Sequence, residues 1–394
     1  MNIVIDSKNP NAEMLFGHLG NVCLLPTAEI TADSVRDADV LVVRSETKVG
    51  RDLLDGSKVR FVGTATIGTD HIDQEYLKAK NIGFVSAPGS NSNSVAEYVV
   101  AGMLLLAVRT GTPLARQTIG VVGVGNVGSK VARMGSALGM TVLQNDPPLA
   151  RSTGDVGYLP LESLMNADII SLHVPLTTAG NDPTRHLFDS DRISRMKPGA
   201  VLFNTSRGAV VDTAVLKTAL AQNRLSGAVL DVWEGEPSID TGLLDLVTLG
   251  TPHIAGYSLD GKLNAIAMVY DGVCKHFGKE PRHTLEAQEQ DGHAIDIHAP
   301  VRSLEQALHD VVAKCYDIEG DDRMLRTAMS VPSQERAARF RKLRTDYPIR
   351  REFAHTIVDV DPSEIAVRKM LSALGFVVKE SPRFSSQKER AQNS

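Results

Sequence analysis

The sequence predicts an α/β protein: two doubly wound parallel-sheet domains followed by a C-terminal α+β domain. Three observations predict it. The 394 residues ask for two or three domains at about 100–200 residues each. Two successive series of short apolar runs alternate with amphipathic segments, the pattern of parallel strands with crossover helices. After about Phe277 the texture changes to polar and then arginine-rich. At 42% hydrophobic and 23% charged residues, the balance is that of a globular chain and excludes a disordered or fibrous one.

In the first series the strands are Ile3 to Ile5, Val40 to Val43, Phe61 to Val62 and Gly83 to Val85. The polar loop Gly89 to Asn93 leads into Ser94-Val-Ala-Glu97, an S-x-x-E pattern that predicts a capping box opening an apolar helix. Its stretch Tyr98 to Val108 is well short of the roughly 20 residues that span a bilayer, so a buried core helix is expected. The second series begins at Thr118, with runs at Ile119 to Val122, Thr141 to Leu143, Ile169 to Leu172, Ala200 to Phe203 and Ala228 to Val232, all read as strands buried on both faces. Between the first two, Val127, Val131, Met134 and Leu138 form the stripe of a helix packed on a sheet. A boundary near Lys279 to Arg282 then precedes the polar His283 to His293 and the basic Arg336 to Arg351. Strand-like Ile295 to His298 and Thr356 to Val360, with helical Leu304 to Tyr316 and Pro362 to Leu374, make a small α+β unit. The domains expected are residues 1–92 with 255–280, residues 93–254, and residues 281–394, ending in a disordered tail, Ser385 to Ser394.

A net charge of -5 gives no electrostatic reason to expect nucleic acid or an anionic membrane as a partner. Any anionic ligand must be held by a local cluster. The start MNIVIDSKN has no basic leader followed by an apolar segment, which leaves a cytoplasmic address by default. Cys23, Cys274 and Cys315 lie far apart without a CxxC pair, so neither a disulfide framework nor a thiolate zinc site is expected, and no metal. They read as buried small apolar residues.

Gly123-Val-Gly125-Asn126-Val127-Gly128 follows a strand and opens the striped helix, the context of the Rossmann dinucleotide fingerprint. The first glycine permits the tight turn, the second lets backbone approach a pyrophosphate, and the third allows close helix packing. Asp146, 18 residues beyond Gly128 at the next strand end, has the placement of the acid that binds the adenine ribose and favours NAD over NADP. A glycine turn followed by a surface acid is the alternative. Later strands end in His173 to Thr177, Asn204 to Gly208 and Asp231 to Pro237, and Thr251 to Tyr257 follows, where open α/β sheets bind ligands. A histidine, a carboxylate and an arginine on these loops supply the parts for hydride transfer from a 2-hydroxy acid. His253 would take the hydroxyl proton, Glu236 would orient His253 and raise its pKa, and Arg207 would bind the substrate carboxylate and developing carbonyl. Spacing alone leaves open that His253 is a satisfied loop residue, that Glu236 closes a turn and that Arg207 answers a surface acid.

The ordered set GVGNVG, HVPLT, NTSRGAVVD, LDVWEGEP and TPHIAGYS resembles the D-isomer-specific 2-hydroxyacid dehydrogenase family. The resemblance implies NAD as cofactor and an Arg/Glu/His trio: Arg207 matches the arginine of RGxxVD, Glu236 the glutamate before proline and His253 the histidine of TPHxAG. It also implies that Asp231 contacts the nicotinamide amide and that Val174, Thr205, Ser206 and Gly256 line the cofactor. Val43 to Lys48, Phe61 to His71 and Phe340 to Phe353 are similar to a branch of the family that oxidises a small phosphorylated 2-hydroxy acid in pyridoxal phosphate synthesis. On that likeness Ser45, Thr66, Tyr257 and Arg44 become substrate-binding candidates, in a cleft between the first two domains. The C-terminal segment becomes a homodimerisation domain whose arginines reach the partner's active site. Arg44, Ser45, Thr47 and Lys48 offer hydroxyls and cations to an anion such as a phosphate; a solvated strand end is the alternative. Ser206 stands where cysteine is common, Ile67 where a small residue is usual, and the loop Thr178 to Thr184 departs from the pattern. The alternatives are another dehydrogenase of the family, such as one acting on 3-phosphoglycerate, and a non-catalytic NAD-sensing protein.

Overall fold

The computed structural model describes residues 1–282, 294–296 and 303–380. It divides into two compact units, Met1–Ser92 with Tyr257–Asp291, and Asn93–Gly256 with Gly292–Ser394. The expected tail Ser385 to Ser394 and the polar stretch His283 to His293 lie outside the described residues.

The first unit is a five-stranded parallel sheet of β1 (Asn2–Asp6), β2 (Asn21–Leu25), β3 (Val40–Val43), β4 (Phe61–Thr64) and β5 (Gly83–Val85), in the order β2-β1-β3-β4-β5. Side chains alternate across it. Ile3, Ile5, Val40 and Val42 pack under the helix Leu259–His276 through Ile266, Val269 and Tyr270, while Val4, Leu41 and Val43 meet Val35, Leu54 and Leu77. Burial on both faces is why these strands read as unbroken apolar runs. β2 is not among the strands those runs single out. It is an edge strand with Asn21, Cys23 and Leu24 exposed. Cys23 therefore corrects the expectation of three buried cysteines, since only Cys274 is buried and Cys315 is half-buried.

The second unit carries β6 (Thr118–Val122), β7 (Thr141–Asn145), β8 (Ile169–Leu172), β9 (Val201–Asn204), β10 (Gly227–Leu230) and β11 (Leu249–Gly250), all parallel, in the order β11-β10-β9-β8-β6-β7. The chain steps from β6 outward to β7 and then back across to β8. This reversal creates a ligand crevice at the carboxyl ends of β6 and β8. The striped helix is Gly128–Ala137, with Val131 and Met134 buried.

The C-terminal segment adds helices Leu304–Cys315, Ile318–Met329, Ser333–Thr345 and Ile365–Leu374, and a third parallel sheet of β12 (Ala294–Asp296), β13 (Ile357–Val360) and β14 (Val377–Glu380). Part of its apolar surface packs into the core of the six-stranded sheet. Leu325, Met329 and Phe340 share one apolar cluster with Leu230, Trp233 and Leu244. Polar contacts seal the same junction: Asp322 accepts from Gly250 N–H at 2.7 Å, and Arg326 donates to the carbonyls of Leu244 and Val247 at 2.7 and 3.0 Å.

The expected capping box is corrected. The apolar helix runs Ser92–Thr110, so Ser94 and Glu97 lie inside it. Their side chains serve distant partners instead: Ser94 Oγ donates to Glu352 at 2.7 Å, and Glu97 accepts from Arg350 at 3.0 Å and from Phe353 N–H at 2.7 Å. A local pattern cannot tell a cap from a tertiary contact made by the same residue types.

Candidate active site

The glycine loop after β6 has the shape a dinucleotide needs. Gly123 has φ +83°, and a Cβ on it would lie 2.8 Å from the His173 carbonyl oxygen; one on Gly128 would lie 1.8 Å from the Gly123 oxygen. At Gly125 nothing stands within 4 Å of a Cβ, so the backbone there is open to a ligand, with Asn126 exposed and Val127 half-buried beside it. Asp146, at the end of β7, accepts from Val124 N–H at 2.8 Å and from Leu149 N–H at 3.0 Å. It thus braces the glycine loop while capping the next helix, Pro147–Thr153. Arg151 of that helix pairs with Asp182, which ties down the atypical loop Thr178 to Thr184. These residues fit a dinucleotide.

The loops after β8 and β9 meet through His173. Its ring nitrogens contact Ser171 Oγ at 2.9 Å and Thr205 Oγ1 at 3.1 Å, and burial pushes the ring down to about 3, so it is neutral near pH 7. It holds the Thr205 side chain in place, and Val174 lies half-buried beside it. Asn204 shapes the next turn by accepting from Ser206 N–H and Oγ at 3.0 and 2.8 Å and donating to the Arg207 carbonyl at 2.9 Å. A Cβ on Gly208 would fall 2.0 Å from the Trp233 carbonyl carbon, so only glycine lets the Arg207 turn lie against the loop after β10.

That loop carries Asp231, only 2% exposed. Its carboxylate accepts from Thr251 Oγ1 at 2.7 Å, Ile254 N–H at 2.7 Å and Ala255 N–H at 3.0 Å, and its carbonyl accepts from His253 N–H at 2.7 Å. Burial raises the carboxyl above its ordinary value, against the pull of His253. The structure therefore gives Asp231 the task of organising the His253 loop, where the family likeness implies a cofactor contact; Gly256 closes the same loop. His253 sits at φ +59°, an uncommon conformation for a side chain of this size. Its Nδ1 lies 2.5 Å from Glu236 Oε1. Burial pushes the Glu236 carboxyl up, but His253 and, more weakly, Arg344 outweigh it and leave the group below the ordinary carboxylate range. With Nδ1 held, Nε2 is the nitrogen that can exchange a proton with a ligand.

In the first unit, Arg44 and Ser45 directly follow β3, and Thr66 follows β4. These strands are neighbours, with Val43 paired to Thr64, so the three residues meet at one sheet edge. Thr66 Oγ1 donates to the Gly68 carbonyl at 3.0 Å and contacts Thr64 Oγ1 at 2.8 Å. Ile67 is half-buried next to it. Sequence reasoning missed Lys262, whose ammonium lies 5.2 Å from the Tyr257 ring centre. Burial, with the charges of Arg44 and Lys8, holds it below the ordinary lysine value. A signal for it existed: Lys262 lies in the first turns of a helix capped by Ser258, where the helix dipole disfavours a cation unless an anion is to be bound there.

Residues 91–255 match the family described as D-isomer specific 2-hydroxyacid dehydrogenase, NAD binding domain, and residues 288–375 match a domain of unknown function, DUF3410. The chain is 46% identical to the erythronate-4-phosphate dehydrogenase of Salinibacter ruber, over 91% of this chain and 94% of that protein. It is 43% identical to the enzyme of the same name from Chromohalobacter salexigens, over 97% and 100%. Among solved structures, D-lactate dehydrogenase from Aquifex aeolicus, complexed with NAD and lactic acid, superimposes with a TM-score of 0.57 at 28% identity, over 71% of this chain and 95% of that one. The chain belongs to the D-isomer-specific 2-hydroxyacid dehydrogenase family, in the branch formed by the erythronate-4-phosphate dehydrogenases.

Proposed function

We propose that the protein oxidises the 2-hydroxyl of 4-phospho-D-erythronate to 2-oxo-3-hydroxy-4-phosphobutanoate with NAD, a step of pyridoxal phosphate synthesis. The observation that carries it is the 2.5 Å contact between Glu236 and His253, next to a loop that presents Arg207. NAD, held by Gly123 to Gly128 and Asp146, supplies the hydride acceptor. His253 Nε2 takes the hydroxyl proton as the hydride leaves the same carbon, and Glu236, anionic near pH 7, stabilises the imidazolium that results. Arg207 binds the substrate carboxylate and the oxygen that becomes the carbonyl.

The phosphate belongs to the first unit. Lys262, which lies over the Tyr257 ring and feels the charges of Arg44 and Lys8, and Ser45 and Thr66 at neighbouring strand ends are the residues offered to it, and an anion relieves the repulsion on Lys262. The reading includes a cytoplasmic homodimer assembled through the C-terminal segment. Sedimentation of the full chain tests this better than truncation does, because Leu325, Met329 and Phe340 fill the cofactor unit's own core.

The test of function is NADH formation with 4-phosphoerythronate against 3-phosphoglycerate and unphosphorylated 2-hydroxy acids. The highest kcat/KM is expected with 4-phosphoerythronate. Preference for 3-phosphoglycerate contradicts the assignment.

A further inference from the structure

His253 is held in a left-handed conformation, at φ +59°, which a histidine keeps only when its surroundings over-determine it. Much of that constraint comes from within the cofactor-binding domain. Asp231 takes three hydrogen bonds from residues 251–255, Trp233 Nε1 donates to the Thr251 carbonyl at 2.9 Å, and Tyr98 OH meets Thr251 Oγ1 at 2.9 Å. The Ala255 carbonyl, two residues past His253, accepts from Arg350 Nη2 at 3.3 Å.

Arg350 comes from the C-terminal segment and is only 6% exposed. Its Nη1 donates to Glu97 at 3.0 Å, and its guanidinium lies 4.2 Å from the centre of the Tyr316 ring. The residues beside it extend the same network. Glu352 accepts from Ser94 at 2.7 Å and from Asn93 at 3.0 Å, and Asn93 accepts from Lys130, in the first turn of the dinucleotide helix, at 2.6 Å. Residues 350–353 thus join the His253 loop, the start of the apolar helix and the cofactor helix.

We propose that Arg350 is a positioning residue for the reaction: from the C-terminal segment of the same chain it clamps the His253 loop, so that His253 stays on Glu236. This rests on the reading of His253 as the base. The segment then belongs to the catalytic apparatus of its own subunit, whatever it does in assembly.

The test uses the full chain with NAD and 4-phosphoerythronate, reading kcat, both KM values and the pH profile of kcat/KM. Removing Arg350 alone would leave the buried Glu97 carboxyl without its partner, so Arg350→Met is combined with Glu97→Gln. The double variant is expected to lose kcat by about 10- to 100-fold, with the acid limb of the profile moved and KM for NAD unchanged. Glu97→Gln alone leaves Arg350 on Ala255 and should lose much less kcat than the double variant. Arg350→Lys keeps a charge beside Glu97, and with it the fold, but its single amine cannot span both partners, so an intermediate loss with a moved limb is expected. A folded double variant with wild-type kcat and profile overturns the proposal. If the double variant does not fold, Arg350→Lys decides: wild-type kcat and profile overturn it, and intermediate loss supports it. His253→Ala in the same assay separates the two readings. Activity retained there contradicts the role of His253, whereas an inactive His253→Ala beside normal Arg350 variants contradicts the clamp alone.

Discussion

The strand-end clusters of the two units are built on opposite electrostatic terms. In the cofactor-binding unit the charges are matched: Glu236 lies against His253, and Asp231 accepts three hydrogen bonds. In the first unit Lys262 feels the positive charges of Arg44 and Lys8, and among the described residues none of the three pairs with a carboxylate. Matched charges fix atoms in place, as a proton transfer requires. An unmatched cation held below its ordinary value favours an anionic ligand, as the proposed phosphate subsite requires. One cluster is therefore complete without substrate, and the other is completed by it.

The largest effect should come from breaking the matched cluster. His253→Ala is expected to lower kcat by about 10²- to 10⁴-fold and to leave NAD affinity, measured by fluorescence titration, nearly unchanged. Equal loss of both would make His253 structural. Breaking the unmatched cluster should be milder and selective. Lys262→Met removes one charged hydrogen bond to phosphate, worth about 1.5–3 kcal/mol, so KM for the phosphorylated substrate should rise roughly 10- to 100-fold while slow turnover of unphosphorylated hydroxy acids stays as it was. A uniform rise would place Lys262 outside the phosphate subsite.

Gly208→Ala probes how the matched cluster is assembled. Its methyl group would overlap the Trp233 backbone, and a loss of about 1–3 kcal/mol in stability is expected from forced repacking, readable in chemical denaturation. Unchanged stability would show that the two loops can part. The smallest effect concerns pH. Burial raises Asp321 to about 7 and Glu97 to about 8, with Arg350 opposing in both cases. Both folded values lie above the unfolded ones, so the stability they contribute is complete below about pH 4 and lost as pH rises through 7 and 8. Thermal melts should therefore decline over that window, and Asp321→Asn should flatten part of the decline.

How far each region was legible in the sequence follows from the range of the forces that build it. The glycine loop and the loops of Arg207 and Glu236 each follow a strand buried on both faces, so short apolar runs announce them; Asp146 follows β7, which corrects the expectation of a doubly buried strand, because it is the half-exposed edge of its sheet. β2 escaped because an edge strand needs less apolar surface. Lys262 escaped because its meaning lies in Arg44 and Lys8, more than 200 residues away in sequence. Ser94 and Glu97 were misread because Glu352 and Arg350, which define them, are some 250 residues downstream. The contact of Leu325, Met329 and Phe340 with the core of the cofactor-binding sheet is equally non-local, and no local pattern announces it.

The most direct test of the contrast between the clusters is the ratio of kcat/KM for 4-phosphoerythronate to that for erythronate in the unaltered protein. Three unmatched cations awaiting a phosphate predict a ratio of at least about 100, two charged hydrogen bonds' worth or more. Comparable values for the two substrates would contradict the account, because the cation cluster would then have no phosphate to hold.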